Sequence, residues 1–168
     1  MNSYRPLQCC GTVSITLTDE EKAHIQSCRV QAGPEDTSAE NKGLKFAQRF
    51  ACSSHCLGQK KNLVDSEGYV KLEDFKSAYL ARYNDSSLKD VTEKSIDECV
   101  PLANQKATEV GIVEVDGRSC NGAFGFAVMC VGTKTEMNCP EEKQVKSTAC
   151  EDKRKRLKEW ADRMKQNA

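Results

Sequence analysis

Apolar residues recur at helical spacing through the first third of the chain. A Thr-Asp-Glu-Glu sequence at 18–21 has the form of a capping box and predicts the start of a first helix. A second capping-box sequence at 37–40 predicts the start of a second helix, which should end near Gly58. Residues four positions apart lie on one face of a helix, so Cys52 and Cys56 can tether this second helix to two neighbouring elements.

The middle of the chain predicts two more helices. Residues 63–70, in which apolar residues flank Asp-Ser-Glu-Gly, predict a turn, and a stripe of Leu, Phe and Tyr predicts a third helix over 72–83. Ser86 and Ser87 can cap a fourth helix, which we expect Pro101 to disrupt. Four helices are therefore predicted in the first two thirds of the chain.

The last third is less regular. Residues 112–117 alternate like a strand that enters a turn, although a loop is the simpler interpretation. Residues 120–131 form the most apolar stretch, and their pattern is compatible with either a strand or a buried helix. Pro140 and the acidic pair after it predict a short helix, and a basic amphipathic helix is expected over 151–166.

Together these elements predict one all-α domain, a compact bundle of six or seven short helices. The domain spans 1–168, with an extended amino-terminal arm (1–17) and a carboxy-terminal helical extension (140–168). The chain of 168 residues contains 10 cysteines, an even number. This usage is typical of disulfide-bonded proteins in an oxidising compartment, so we expect about five disulfides and a secreted, extracellular protein.

The amino-terminal residues and the charge balance bear on secretion and on binding to membranes or nucleic acid. Residues 1–8 lack the apolar stretch of a signal peptide, so we interpret the chain as a mature form with a start Met added. No apolar run approaches the roughly 18 residues that cross a membrane. The 25 basic and 25 acidic residues cancel to a net charge of zero, which favours neither nucleic acid nor stable membrane insertion.

Enzymatic and metal-dependent functions lack the residues that they would need. His55 precedes Cys56 as in the helix of secreted phospholipases, but Leu57 follows and no glycine-rich calcium loop comes before. Asp65 and Glu67 resemble part of a calcium loop without further ligands in register. The two cysteines of the second helix lack the second pair that a zinc site needs. We therefore predict a protein that is not an enzyme, with no catalytic residues, no metal and no cofactor.

The basic sequence at 153–158 belongs to the last predicted helix, whose apolar stripe contains Leu157, Trp160 and Met164. A solvated helix face is the simplest interpretation of these charges. A lid over a binding pocket and a contact with a partner chain are the alternatives.

The order and spacing of the cysteines form the most specific pattern in the chain. Three residues separate the second and third cysteines of the series, and a proline directly follows the seventh. The series is Cys28, Cys52, Cys56, Cys99, Cys120, Cys130, Cys139-Pro140 and Cys150.

In this pattern the chain resembles the insect odorant-binding proteins, and within them the cysteine-rich subclass called Plus-C. That subclass has one cysteine before the fifth core position, a proline directly after the sixth, and a further cysteine beyond it. Cys120, Pro140 and Cys150 occupy those places. The amino-terminal pair Cys9-Cys10 departs from the subclass pattern.

The resemblance implies three core disulfides, which are Cys28 with Cys56, Cys52 with Cys130, and Cys99 with Cys139. Adjacent cysteines seldom pair because the geometry is strained. We therefore expect Cys9 and Cys10 to bond separately to Cys120 and Cys150, in either order.

The resemblance also implies a function, the transport of small hydrophobic molecules such as odorants or other semiochemicals through the fluid around olfactory neurons. Disulfides can offset the cost of an internal cavity that a packed core would not keep. The expected apolar pocket is lined by Phe46, Phe50, Leu57, Leu63, Tyr69, Val70, Phe75, Tyr79, Phe124, Phe126, Val128 and Met129.

Within this set, Phe124, Phe126 and Met129 are the strongest candidates, because the glycine and alanine between them leave room beside a bulky ligand. Tyr69 and Tyr79 can offer a hydroxyl group to a polar ligand head. The partner expected here is therefore a small hydrophobic ligand with a minor polar part.

A secreted interaction or scavenger protein is the alternative on the same fold, and an apolar cavity would discriminate between the two. A homodimer or a contact with a chemosensory receptor is compatible with either function. His24 and His55 are the only histidines, so ligand release between about pH 5 and pH 7 would depend on them or on shifted carboxylates.

Overall fold

The computed structural model describes residues 9–11, 18–33 and 42–166, and most of this chain is helical. The elements in chain order are α1 (Asp19–Gln31), α2 (Lys42–Lys60), α3 (Leu72–Leu80), α4 (Ser86–Val110), β1 (Val113–Val115), β2 (Arg118–Cys120), α5 (Ala123–Met137), a 3₁₀ turn (Glu141–Lys143) and α6 (Thr148–Gln166). The predicted all-α class, stapled by disulfides, is confirmed.

The first two helices begin and end near their predicted positions. The Thr18 hydroxyl accepts the Glu21 N–H at 3.1 Å, and the Glu21 carboxylate accepts the Thr18 N–H at 3.1 Å, so the capping box of α1 is present. The capping box predicted at 37–40 lies outside the described residues. Helix α2 runs past Gly58, where its end was predicted, because this glycine is a buried packing position within the helix.

Helix α4 differs from the prediction at its start and in its middle. Asp85, and not Ser86 or Ser87, is the N-cap, and its carboxylate accepts the N–H groups of Ser87 and Leu88. Pro101 does not interrupt the helix. A proline inside a helix leaves the carbonyl four residues earlier without its N–H partner. Here that carbonyl belongs to Asp97, and both Asp97 and Pro101 are exposed, so water can satisfy it.

The structure also shows the conformation of the two stretches that the sequence left ambiguous, 112–117 and 120–131. Residues 112–117, which we expected to form a loop, supply β1 of an antiparallel hairpin with β2. Asp116 and Gly117 form its two-residue turn with φ of 49° and 74°, the left-handed pair that a type I′ turn requires. The apolar stretch 120–131 is helical from Ala123 onward, where it forms the first part of α5, and this helix packs against α2, α4 and α6. A buried segment surrounded by helices satisfies its own backbone N–H and carbonyl groups when it is helical.

The hydrophobic core lies around α5. Ala123, Ala127 and Val131 on this helix have no exposed surface, and they pack with Phe75 of α3 and Ile96 of α4, which are also fully buried. The loop 63–70 closes against this core as a turn, with a bridge between Val64 and Val70. The turn predicted there is therefore confirmed.

All ten cysteines form disulfides, but not all with the predicted partners. The observed pairs are Cys9–Cys150, Cys10–Cys139, Cys28–Cys56, Cys52–Cys120 and Cys99–Cys130. Only Cys28–Cys56 among the predicted core pairs is correct. The predictions Cys52–Cys130 and Cys99–Cys139 are wrong, because Cys120 ends β2 beside α2 and Cys130 faces α4. Cys9 and Cys10 bond separately, as expected, and Cys9 bonds to Cys150, but Cys10 bonds to Cys139 and not to Cys120.

The start of the described chain lies against the carboxy-terminal extension. The Cys9 carbonyl accepts the Val145 N–H at 3.0 Å, and the Gly11 N–H donates to the Lys143 carbonyl at 2.7 Å. The Cys9 N–H donates to the buried Glu136 carboxylate at 3.0 Å. Of the predicted arm, only residues 9–11 lie within the described chain, and they run beside the segment that joins α5 to α6.

Candidate functional site

The twelve predicted pocket residues divide into a buried group and an exposed group. Leu63, Val70, Phe75 and Phe124 are buried in the core, and five more pack against it: Leu57, Tyr69, Tyr79, Phe126 and Val128. Phe50 is half-buried between α2 and α5. Phe46 and Met129 are 72% and 58% exposed. The structure therefore brings ten of the predicted residues to the core or its edge and leaves two at the surface.

The buried aromatic side chains fill the space between the helices that carry them. Phe75 stacks on Tyr79 with ring centroids 5.1 Å apart, and the edge of Phe124 meets the Phe75 ring at 5.9 Å. Burial raises the pKa of the Tyr79 phenol. The Tyr69 hydroxyl lies 3.2 Å from the Thr108 hydroxyl, whose proton is donated to the Asn104 carbonyl at 3.0 Å, so Tyr69 can donate to the Thr108 oxygen and has a protein partner.

The room beside the glycines of α2 and α5 is also occupied. A Cβ atom added to Gly125 would lie 2.5 Å from Cε1 of Phe50, and one added to Gly58 would lie 2.9 Å from Cγ1 of Val64 and 3.0 Å from the Phe124 ring. We expected the glycine and alanine between Phe124 and Met129 to leave space for a ligand, but the Phe50 ring occupies the space beside Gly125. The glycines instead allow aromatic rings to pack directly against a neighbouring helix backbone.

An apolar strip remains exposed along the junction of α2 and α5. Phe46 stacks on Phe50 with centroids 6.4 Å apart and an angle of 17° between the rings. Phe50 in turn reaches Gly125, and Met129 follows Gly125 by one helical turn on the same face of α5. We call these four residues the α2–α5 strip. It presents an aromatic ring and a flexible thioether side chain to solvent.

A polar cleft of about 230 Å³ lies beside the Cys28–Cys56 and Cys52–Cys120 disulfides, near the end of α1 and β2. Its other lining residues are Gln31, His55, Gln59, Arg118 and Ser119. None of the twelve predicted pocket residues lines this cleft. Its composition suits water and polar groups better than a hydrophobic ligand.

His55 holds three segments together at the edge of the cleft. Its Nδ1 accepts the Asn121 N–H at 3.0 Å, while its Nε2 is enclosed and faces Gly68. Burial lowers the pKa of this imidazole. The Asn121 side chain donates to the Glu67 carbonyl at 3.0 Å and accepts the Ala123 N–H at 2.9 Å. Nδ1 of His55 is therefore bonded to the backbone of Asn121, whereas its buried Nε2 has no hydrogen-bond partner among the described residues.

Sequence reasoning did not identify Asn121 as a partner of His55. A signal for one of its roles was present, because an asparagine just before an apolar helical run is typical of a helix start. Its hydrogen bond with a histidine 66 positions earlier has no corresponding pattern in the neighbouring sequence.

The turn weighed as a calcium loop is closed by its own side chain. The Asp65 carboxylate accepts the N–H groups of Glu67 at 3.0 Å and Tyr69 at 2.9 Å. Within residues 9–11, 18–33 and 42–166 there is no group of three or more His, Cys, Asp or Glu residues that could hold a metal ion. The same part of the chain contains no helix long and apolar enough to cross a bilayer.

Comparisons of the chain with protein-family models, with curated proteins and with solved structures found no match.

Proposed function

We propose that this chain is an extracellular carrier that binds small hydrophobic molecules, and that binding begins at the α2–α5 strip. The observation that carries the proposal is the order of the disulfides between residues 28 and 130. They join the first cysteine to the third, the second to the fifth and the fourth to the sixth. The resemblance to insect odorant-binding proteins implies this same order when Cys120 and Cys130 are taken as the fifth and sixth positions, although Val131 then follows the sixth cysteine in place of the proline of the Plus-C pattern.

The strip supports the proposal because it exposes groups that bind apolar ligands well. Phe46 offers a ring face, and Met129 is unbranched and polarisable, so it can adapt to ligands of different shape. A ligand that covered about 200 Å² of apolar surface there would gain about 5 kcal/mol before the cost of association. Affinities in the micromolar range would need further burial of the ligand beneath the strip.

Deeper entry would require the rings, and not the helices, to move. Phe50 lies against Gly125, and Phe124 lies against Gly58, so rotation of either ring would expose helix backbone in its place. The Cys52–Cys120 disulfide holds α2 to the segment directly before α5. A ligand that displaced the Phe50 ring would therefore enter a gap whose walls stay fixed.

The test is displacement of a hydrophobic fluorescent probe from the oxidised protein by a panel of volatile and fatty compounds. Phe46→Gln and Met129→Gln should weaken probe binding about tenfold or more, because each removes apolar contact worth about 1.5 kcal/mol or more. Val30→Gln on α1 is the matched control, since Val30 is 67% exposed and lies on a helix without strip residues. Equal losses in all three variants, or none, would contradict binding at the strip.

A secreted interaction protein is the second candidate, and the filled aromatic core favours it. If Phe75, Tyr79 and Phe124 keep their contacts at all times, the strip can hold only the edge of a ligand. Absence of saturable probe uptake by the oxidised protein would reject the carrier proposal and leave the strip as a contact surface for another protein. Saturable uptake that disappears on mild reduction would support the carrier.

A further inference from the structure

One three-residue sequence in the chain has the form that accepts an N-linked glycan. Residues 84–86 read Asn-Asp-Ser, with a residue other than proline in the middle and a serine hydroxyl two positions after the asparagine. It is the single Asn-X-Ser/Thr sequence in the 168 residues. A sequence pattern of this length also occurs by chance, so its position in the fold decides whether it can carry a glycan.

The fold places this sequence on the surface, in the connection between α3 and α4. Asn84 and Ser86 are both exposed, and Asn84 directly precedes the N-cap of α4. Backbone at Asp85 is extended, with φ of −87° and ψ of 122°, so the acceptor lies just outside the helix. A large hydrophilic group at this point would project into solvent without displacing a packed side chain.

The middle residue is directed away from the acceptor. The Asp85 carboxylate accepts the Ser87 hydroxyl at 2.6 Å and also pairs with Lys143. These contacts hold its pKa well below the usual range, chiefly through the Lys143 partner. The negative charge of Asp85 is thus engaged with α4 and the 3₁₀ turn, and it leaves the neighbouring Asn84 uncovered.

We propose that Asn84 is an N-glycosylation site in the secreted protein. In this reaction the Asn84 amide nitrogen bonds to the anomeric carbon of an oligosaccharide carried on a lipid diphosphate. The carbon–oxygen bond to the diphosphate breaks, the amide loses one proton to a base of the transferring enzyme, and the lipid diphosphate leaves. The proposal rests on passage through the secretory pathway and not on the carrier function.

The glycan would lie at the opposite end of α5 from the strip. Asp85 contacts Lys143 beyond the carboxyl end of α5, and Leu88 packs with Cys10 and Cys139 there. The strip uses Gly125 near the amino end of the same helix. Glycosylation is therefore expected to leave probe binding unchanged while it shields the junction of the arm with the 3₁₀ turn.

The experiment is expression of the full chain behind a cleavable secretion signal in eukaryotic cells, followed by digestion with peptide N-glycosidase in heavy-oxygen water. We expect a glycosylated product that loses its carbohydrate and acquires a labelled aspartate at position 84. Asn84→Gln and Ser86→Ala should abolish the modification, and Ser86→Thr should retain it because threonine also completes the acceptor sequence. Thermal unfolding of each variant measures whether the fold is intact.

Cell-retained protein is analysed with the secreted fraction, because the glycan is added before export and a folding defect would not hide it. An unmodified Asn84 in both fractions would overturn the proposal. A carbohydrate shift that persists in Asn84→Gln would place the modification elsewhere and overturn it as well. Loss of the glycan in Ser86→Ala together with its retention in Ser86→Thr supports glycosylation at Asn84, whatever the outcome of the probe-binding test.

Discussion

The two ends of α5 are held to the rest of the molecule by different kinds of contact. At its amino end, Gly125 lets the Phe50 ring of α2 pack against the helix backbone. At its carboxyl end, the buried Glu136 carboxylate accepts the Cys9 N–H and the Lys153 ammonium group, each at 3.0 Å. A disulfide lies near each end, but the amino end adds close packing of a ring on backbone, and the carboxyl end adds a buried charge. Different substitutions should weaken each end.

Removal of a disulfide at the carboxyl end should have the largest effect. The double variant Cys10→Ser/Cys139→Ser loses a cross-link between residues 129 positions apart and should lower the free energy of unfolding by about 2–5 kcal/mol. Guanidinium unfolding of the oxidised proteins measures this loss. Because both cysteines are removed, no free thiol is left to exchange. Probe binding at the strip should stay unchanged, and a stability loss below about 0.5 kcal/mol would show that the arm adds little to the fold.

Substitution of the glycine at the amino end should have the next largest effect. Gly125→Ala places a methyl group 2.5 Å from the Phe50 ring and should destabilise the protein by about 1–3 kcal/mol. Gly132→Ala on the same helix is the matched control, because nothing lies within 4 Å of its added Cβ. Alanine favours helix more than glycine does, so the control should be stabilised by about 0.5–1 kcal/mol. If the free energy of unfolding changed in the same direction in both variants, ring-to-backbone packing at Gly125 would be contradicted.

Removal of the buried Glu136 carboxylate at the carboxyl end of α5 should lower the free energy of unfolding somewhat less than the glycine substitution does. Glu136→Ala removes the acceptor of the Cys9 N–H and should cost about 1–3 kcal/mol in the free energy of unfolding. Glu159→Ala on α6 serves as control, since Glu159 is exposed and such surface changes usually stay within about 0.5 kcal/mol. Equal stability of the two variants by urea unfolding would show that the disulfides and the backbone hydrogen bonds of Cys9 and Gly11 hold the arm without the Glu136 carboxylate.

The smallest expected effect concerns pH and the His55 junction. Burial lowers the pKa of His55, so the unfolded chain binds a proton there more readily than the folded chain does. The free energy of unfolding should therefore fall as the pH drops from about 6.5 through the lowered pKa, and His55 should contribute no slope above that range. A proton on Nδ1 would also oppose the Asn121 N–H.

Stability measured against pH in His55→Gln tests this expectation. The variant should show a shallower decline below about pH 6.5 than the parent protein. His24→Gln is the control, since His24 lies on the surface helix α1, 3.9 Å from Glu20, and takes no part in the junction. Two charged residues belong to the segments around the junction: Glu67, whose backbone carbonyl accepts the Asn121 side chain, and Arg118, which lines the same cleft as His55. An unchanged slope in His55→Gln would assign the acid sensitivity to carboxylates instead.

Several features decided by residues close in sequence were predicted correctly, although the Asp85 N-cap and the hairpin turn at Asp116-Gly117 were not. The capping box at Thr18 depends on a side chain three positions away, and the turn at 63–70 is closed by Asp65 within its own loop. Cys52 and Cys56 project to two neighbours because helix geometry places them on one face. In each of these cases the partners are set by local backbone geometry.

Features decided by distant partners were not predictable in the same way. The series of cysteines did not reveal which of them end a strand and which face α4, so Cys120 was left out of the core order and Cys130 was assigned to the fifth place when it occupies the sixth. A glycine beside an aromatic residue has the same sequence pattern whether it borders a cavity or a ring, and only the position of Phe50 decides between them at Gly125. The candidate strip was therefore only partly foreseeable.

The adjacency of Cys9 and Cys10 has a consequence for the order in which the protein is made. Their partners are Cys150 and Cys139, which are synthesised 141 and 129 residues later. The three disulfides between residues 28 and 130 can all close before either partner has emerged from the ribosome. The native partners of these two neighbouring thiols therefore become available only after every cysteine of the other three disulfides has been synthesised, and the two bonds join the start of the described chain to the region around α6.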